Sequence, residues 1–228
     1  MKKVIYQIDF HDRNLRWATY YEAMKKYTIP SAKRYAAKIG ADYVSINEPV
    51  DEINHIKSIY AQSVAMKLFL FREFLKTDYD RLLFLDCDIL VKGESPDIFE
   101  YDQHKHHDFL ARQVRRGSGW KTKAREILGS EAIRFYNSGV FISGRTSAKK
   151  LSTFDFGGFS LGLPVETCNQ CMFGHVIWST GVRPYSLQKI WNCNWQKGYA
   201  YDDFIHFIHY AGAGKKKLVE DSDARENE

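Results

Sequence analysis

The sequence predicts an α/β domain: a mostly parallel central sheet flanked by helices. Three observations predict it. Short apolar runs at Val4–Ile8, Ala41–Ile46 and Arg81–Leu85 read as buried strands. Helical stretches lie between them, so the order is β-α-β-α-β, the pattern of a parallel sheet with helices on its faces. The length, 228 residues, suits one such domain, with 44% hydrophobic and 15% aromatic residues to fill a core.

The first run, Val4–Ile8, ends in Asp9. Trp17–Ile39 has helical spacing, and Pro30 predicts either two pieces or a kink. Gly40 is a helix stop, and Ala41–Ile46 is the second strand. Ser58–Lys76 is an amphipathic helix with Ala61, Val64, Leu68, Phe71 and Leu75 on one face. Arg81–Leu85 is the third strand. Ligands of such sheets bind outside the carboxyl ends of the strands, where Asp9 and Asp86 sit. The second half is less regular. Strands are expected at Phe109–Gln113 and Gly139–Ser143, and helical segments at Trp120–Leu128, Ser147–Leu151 and Asn169–Ser179. Gly157–Pro164 reads as a glycine-rich loop, and the aromatic Trp191–Tyr210 stretch as a cover over the sheet edge. The domain is expected over residues 1–217, followed by a disordered charged tail over 218–228.

Charge and cysteines narrow the function. The formal net charge is +5, part of it in Lys215, Lys216 and Lys217, with no basic stripe interleaved with aromatics. Nucleic acid is therefore not the expected partner, whereas a diphosphate fits. Cys168-x-x-Cys171 lacks a second pair and is a weak zinc or redox signal. Met1-Lys2-Lys3 does not open a signal peptide, and no apolar run approaches the roughly 20 residues that span a bilayer. Cytoplasmic location and reduced thiols are the expectation. His104, His106 and His107 lie in a polar stretch with Lys105 and read as surface.

Four constellations carry chemistry. Asp86-Cys87-Asp88 follows the third strand. In a strand, residues i and i+2 point the same way, so both carboxylates can face one hard cation, Mn²⁺ or Mg²⁺. Such a pair can also be a solvated turn, but the apolar runs on either side favour the site. His209-x-x-Gly212-x-x-Lys215 combines an imidazole that can ligate Mn²⁺, a glycine allowing close approach and a phosphate-binding ammonium. Asn137-Ser138-Gly139 is a polar turn entering a strand, able to offer polar groups to sugar hydroxyls, or a simple β-turn. Glu166, Asn169 and Gln170 surround a helix start, where they can hold sugar hydroxyls or steady an oxocarbenium ion; Thr167 and Gln170 also fit a capping box. Lys67, on the helix before the acidic pair, either reaches donor phosphates or is solvated.

In this order the residues resemble the nucleotide-sugar glycosyltransferases of the GT-A (Rossmann-like) fold. They are most similar to the glycogenin and lipopolysaccharide galactosyltransferase family, family 8. Small glycosyltransferase domains of large DNA viruses look similar too. The likeness runs from about Lys3 to Lys217. It implies that Asp86, Asp88 and His209 bind Mn²⁺ or Mg²⁺ and that Lys215 contacts the diphosphate. Cys87 and Gly212 are counted with Lys215 among the donor-binding residues, and Lys67 matches a basic residue of the preceding helix. Asn137, Ser138 and Gln170 would lie near the donor sugar. Gln7, Ile8 and Asp9 would line the uracil and ribose pocket. Two features depart from the family: Lys216-Lys217 stand where Pro-Trp usually follows the lysine, and Asn169-Gln170 stand for Asp-Gln. Glu166, one turn earlier, can replace the missing carboxylate.

The resemblance implies a glycosyltransferase moving a sugar from a nucleoside diphosphate donor, UDP foremost with GDP the alternative, to an acceptor hydroxyl, with retention; an inverting enzyme would instead need a carboxylate base at the acceptor, for which Glu166 is the candidate. Two other readings remain open on the residues. Asp86 and Asp88 also resemble the nucleophile strand of haloacid-dehalogenase-type phosphohydrolases, although there that strand usually opens the chain. A non-catalytic nucleotide-sugar-binding module is the other.

Overall fold

The computed structural model describes residues 1–10, 18–54, 56, 59–114, 134–154, 169–195, 204–211 and 214–226. The first three strands are β1 (Lys3–Ile8), β2 (Asp42–Ile46) and β3 (Arg81–Asp86), joined through helices α1 (Ala18–Lys38) and α2 (Ile59–Leu75). Three later strands, β5 (Phe109–Val114), β6 (Phe135–Gly144) and β7 (Tyr185–Ser186), complete a six-stranded sheet in the order β2-β1-β3-β6-β5-β7. β1 pairs in parallel with β2 and β3, and β5 with β7. β6 runs antiparallel to both β3 and β5. The expected β-α-β-α-β half is present, and the sheet is mixed beyond it.

Strand periodicity builds two cores. Val4, Tyr6, Leu82, Phe84 and Phe141 point to one face, where α2 and α4 (Asn169–Ser179) supply Phe71, Phe74, Phe173 and Val176. The Phe84 and Phe141 rings stack there with centroids 4.8 Å apart. Ile5, Leu83, Leu85, Val140 and Ile142 point to the other face, under Tyr35 and Ala36 of α1, Trp191 and Phe207. α2 is more deeply buried than one amphipathic stripe implies, with every residue from Ala65 to Phe71 buried.

Some elements match expectation and others differ. Of the two outcomes expected at Pro30, two pieces or one kinked helix, the structure has one helix, α1, running through it. The proline removes one helical N–H, and nearby hydroxyls tie this turn to its neighbours. Ser31 Oγ donates to the Thr28 carbonyl at 2.7 Å and accepts from the Val91 amide at 3.1 Å. Gly40, at φ +65°, ends the helix, and the Ala41 amide closes it on the Ala36 carbonyl at 2.9 Å. Two strands of the aromatic stretch, β8 (Cys193–Asn194) and β9 (Phe207–His209), join β4 (Ile89–Val91) in a second, three-stranded sheet, in the order β4-β9-β8. Ser147–Leu151 lies within helix α3 (Arg145–Leu151). The expected helix at Trp120–Leu128 and the loop at Gly157–Pro164 lie outside the described residues.

Two expectations are corrected. The tail is helical: α5 runs Gly214–Glu226, and Leu218 is buried beside Met24, Cys87 and Tyr210. Leu218, with Val219 packed against the same cluster, anchors an otherwise charged segment. His104 is fully buried, its Nδ1 3.1 Å from the Ile98 carbonyl and its ring between Tyr101 and Trp191. Only His106 and His107 retain exposure, so the histidine triple is not simply surface.

Candidate functional site

The site lies at the carboxyl end of β3, beside that of β1, where Ile8 is in register with Asp86. Strand β3 stops at Asp86, and Cys87-Asp88 form a turn into β4. The two acids therefore converge through a turn rather than along a strand face. In the second sheet Ile89 is paired with His209, and the Tyr210 amide donates to the Asp88 carbonyl at 2.9 Å. This register brings the imidazole to the acids: Nε2 lies 3.1 Å from Asp88 Oδ1. One ligand atom from each of Asp86, Asp88 and His209 falls within 4.8 Å of the others.

Each carboxylate also meets a buried lysine. Lys67 Nζ lies 2.5 Å from Asp86 Oδ1 and 3.4 Å from Ser138 Oγ, with the ammonium over the Phe84 ring. Lys67 is buried, not solvated. Lys215 Nζ, at the start of α5, lies 2.5 Å from Asp88 Oδ2, donates to the Tyr210 carbonyl and faces the Tyr21 ring at 4.6 Å. Burial pushes the Asp88 carboxyl upward, but the Lys215 ammonium and then His209 more than offset it. They hold the group well below the usual carboxylate range.

The donor set fits a hard divalent cation. Two carboxylates and an imidazole suit Mn²⁺. The lysines take one oxygen of each carboxylate, and Asp88 Oδ1, on the His209 side, is buried with no hydrogen-bond partner. Gly139 keeps this space clear. It stands one step beyond the Leu85–Val140 pair of β3 and β6. A Cβ there would lie 2.5 Å from His209 Cε1 and 3.0 Å from Asp86 Oδ2.

The other sequence-predicted residues fall as follows. Gln7 is fully buried, its Nε2 donating to the Asp86 carbonyl at 3.1 Å and its Oε1 accepting from Tyr43 at 2.7 Å. It braces the end of β3, with both ends of its amide engaged inside the protein. Burial pushes the Tyr43 phenol up to about 12, so it stays a donor. Ile8 is buried, and Asp9 pairs with Lys25 at 2.7 Å. The Cys87 side chain is buried with Met24 and Cys193, and burial pushes its thiol up. Its carbonyl accepts from Thr28 Oγ1 at 2.7 Å. Asn137 is buried, its Oδ1 accepting from the Gly139 amide at 2.8 Å. Gln170 is half-buried in the first turn of α4. Asn169 starts that helix; its side chain, Glu166 and Gly212 lie outside the described residues.

Sequence reading missed Gly139 as a spacer, Thr28 and Tyr43 as braces, and Asn192. The Asn192 Oδ1 is 3.2 Å from His209 Nδ1. Asn-Ser-Gly held a signal for the first; nothing local marked the others.

Comparison with solved structures places this architecture. A glycosyltransferase involved in glycosylation of the major capsid of PBCV-1 matches 98% of this chain and 100% of its own, at 14% identity and a TM-score of 0.57. Mouse xyloside xylosyltransferase 1 matches 92% of this chain and 97% of its own, at 12% identity and a TM-score of 0.51. The galactosyltransferase LgtC, solved with donor and acceptor sugar analogs, covers 98% of this chain and 96% of its own at 17% identity and a TM-score of 0.49. No family model matches the sequence, and no curated protein does so significantly. The chain has the GT-A-like fold of the first two of these structures.

Proposed function

We propose that this chain is a metal-dependent glycosyltransferase. It moves a sugar from a nucleoside diphosphate donor, with UDP as the nucleotide, to an acceptor hydroxyl with retention. The observation that carries this reading is the convergence of Asp86, Asp88 and His209 between two buried lysines at the carboxyl edge of β3. That edge is where such sheets bind ligands. The GT-A-like fold supports this reading over a haloacid-dehalogenase-type phosphohydrolase.

In this reading Asp86, Asp88 and His209 hold Mn²⁺ or Mg²⁺, which supplies Lewis-acid stabilisation of a departing diphosphate. Lys215 and Lys67 add fixed positive charge beside the same oxygens. The bond from the sugar C1 to the diphosphate oxygen breaks, and the acceptor oxygen bonds to C1 on the same face. The acceptor proton passes to a diphosphate oxygen, so no side-chain base is required. Asn137, Ser138, Asn169 and Gln170 line the sugar, and Glu166 steadies the positive charge that develops on it. Ile8 and Asp9 face the nucleoside, and Gly212 lets the backbone approach the diphosphate.

The test is a screen of nucleotide sugars by calorimetry with and without Mn²⁺, followed by NMR of the product's anomeric configuration. UDP species should bind only with metal, and Asp88→Ala should abolish that binding. Binding indifferent to both would overturn the assignment.

A further inference from the structure

We propose that Asn192 is the positioning residue of His209: it holds the proton on Nδ1 and so aims the Nε2 lone pair at the cation. This rests on the metal reading of the site given above.

The geometry is specific. Asn192 is fully buried, and its Oδ1 lies 3.2 Å from His209 Nδ1. A neutral imidazole carries one proton, and the partner of one nitrogen decides what the other presents. An amide oxygen accepts only, so Nδ1 must donate to it and Nε2 is left with its lone pair. On the Nε2 side, Asp88 Oδ1 is 3.1 Å away, yet that oxygen has no hydrogen-bond partner. Gly139 leaves the ring room on its Cε1 side, where a Cβ would lie 2.5 Å from Cε1, 2.9 Å from Nδ1 and 3.0 Å from Asp86 Oδ2.

Asn192 is itself held in place. Arg112 Nη1 donates to its carbonyl, and its amide donates to the Lys189 carbonyl at 3.1 Å at the end of a short 3₁₀ turn. Beyond it, the Trp195 amide donates to the His209 carbonyl at 2.9 Å. The segment therefore grips both the ring and the backbone of His209. Rotating the Asn192 amide by half a turn gives the rival arrangement. Its Nδ2, buried and without a partner as the structure stands, would then donate to Nδ1, and Nε2 would carry the proton and repel a cation.

The two arrangements differ in where one proton sits, so the decisive measurement needs no metal and no turnover. Two-bond ¹⁵N–¹H correlation of ¹⁵N-histidine-labelled, metal-free protein reads the tautomer, with His209→Gln assigning the signal. The expected result is the Nδ1–H form in the wild type and a shift toward Nε2–H in Asn192→Leu. Binding of Mn²⁺ alone, followed by electron paramagnetic resonance of the free ion, should weaken about ten-fold or more in Asn192→Leu. Asn192→Asp, which keeps the acceptor, should retain it. An Nε2–H tautomer in the wild type overturns the proposal even if Asn192→Leu fails to fold. Unchanged affinity in a folded Asn192→Leu overturns it while sparing the metal site. No Mn²⁺ binding by the wild type overturns the metal reading and this proposal together.

Discussion

At the scale of single residues, the site is a balance of buried charges. Asp88 is 5% exposed and Lys215 3%, so each is the other's main compensation. Removing one member of such a pair leaves a charge that burial penalises. Lys215→Met should therefore lower unfolding free energy by about 3–5 kcal/mol. Mn²⁺ should restore part of that loss by neutralising Asp88, giving a larger metal-induced stabilisation than in the wild type. Urea titrations with and without Mn²⁺ measure both, and equal metal effects in the two proteins would contradict the shared site. Gly139 acts through volume alone. A methyl group 2.5 Å from His209 Cε1 must displace the imidazole or the strand. Gly139→Ala should keep the circular dichroism of the wild type and lose Mn²⁺ binding; calorimetry that finds the ion bound as before would remove Gly139 from the site.

At the scale of elements, the acidic turn is carried by pieces on every side of it. Gln7 from β1 holds the Asp86 carbonyl, Thr28 from α1 the Cys87 carbonyl, and the Tyr210 amide the Asp88 carbonyl. Three successive carbonyls, from the last residue of β3 through the turn, are thus satisfied, which fixes the carboxylates beside them. Thr28 is fully buried and also reaches the Met24 carbonyl one turn earlier in α1. Thr28→Val keeps the shape and removes the donor. It should cost about 1–3 kcal/mol, read by thermal unfolding, and weaken Mn²⁺ binding with α1 intact. Unchanged stability and affinity would mean that the turn is held without α1.

At the scale of the molecule, acid sensitivity should come partly from a residue outside the proposed metal site, His104. Burial lowers the His104 imidazole from 6.5 to about 4, with Arg81 and His107 adding to the effect and the Ile98 carbonyl opposing it. Its folded form is neutral, so the unfolded chain binds the extra proton between those values. Stability should fall as pH drops from 6.5 toward about 4 and level off below, by on the order of 3 kcal/mol for this group. His104→Gln should flatten the slope in that window, and a profile matching the wild type would refute the assignment. Sequence patterns alone determined the β-α-β-α-β half, the boundaries of α4 and the position of Asp86 at a strand end. Each depends on residue periodicity within a few turns or a few alternations, which is a local property. The resemblance also pointed to His209 and Lys215 as members of the acidic site. The tertiary structure decided how they get there: the β4–β9 register delivers the imidazole, buried lysines clasp each carboxylate, and Gly139 and Asn192 shape the space around the ring. It also buried His104 and Leu218 and made Gln7 a brace. These outcomes follow from contacts between segments distant in sequence, and no local pattern encodes which distant partner a polar side chain will meet.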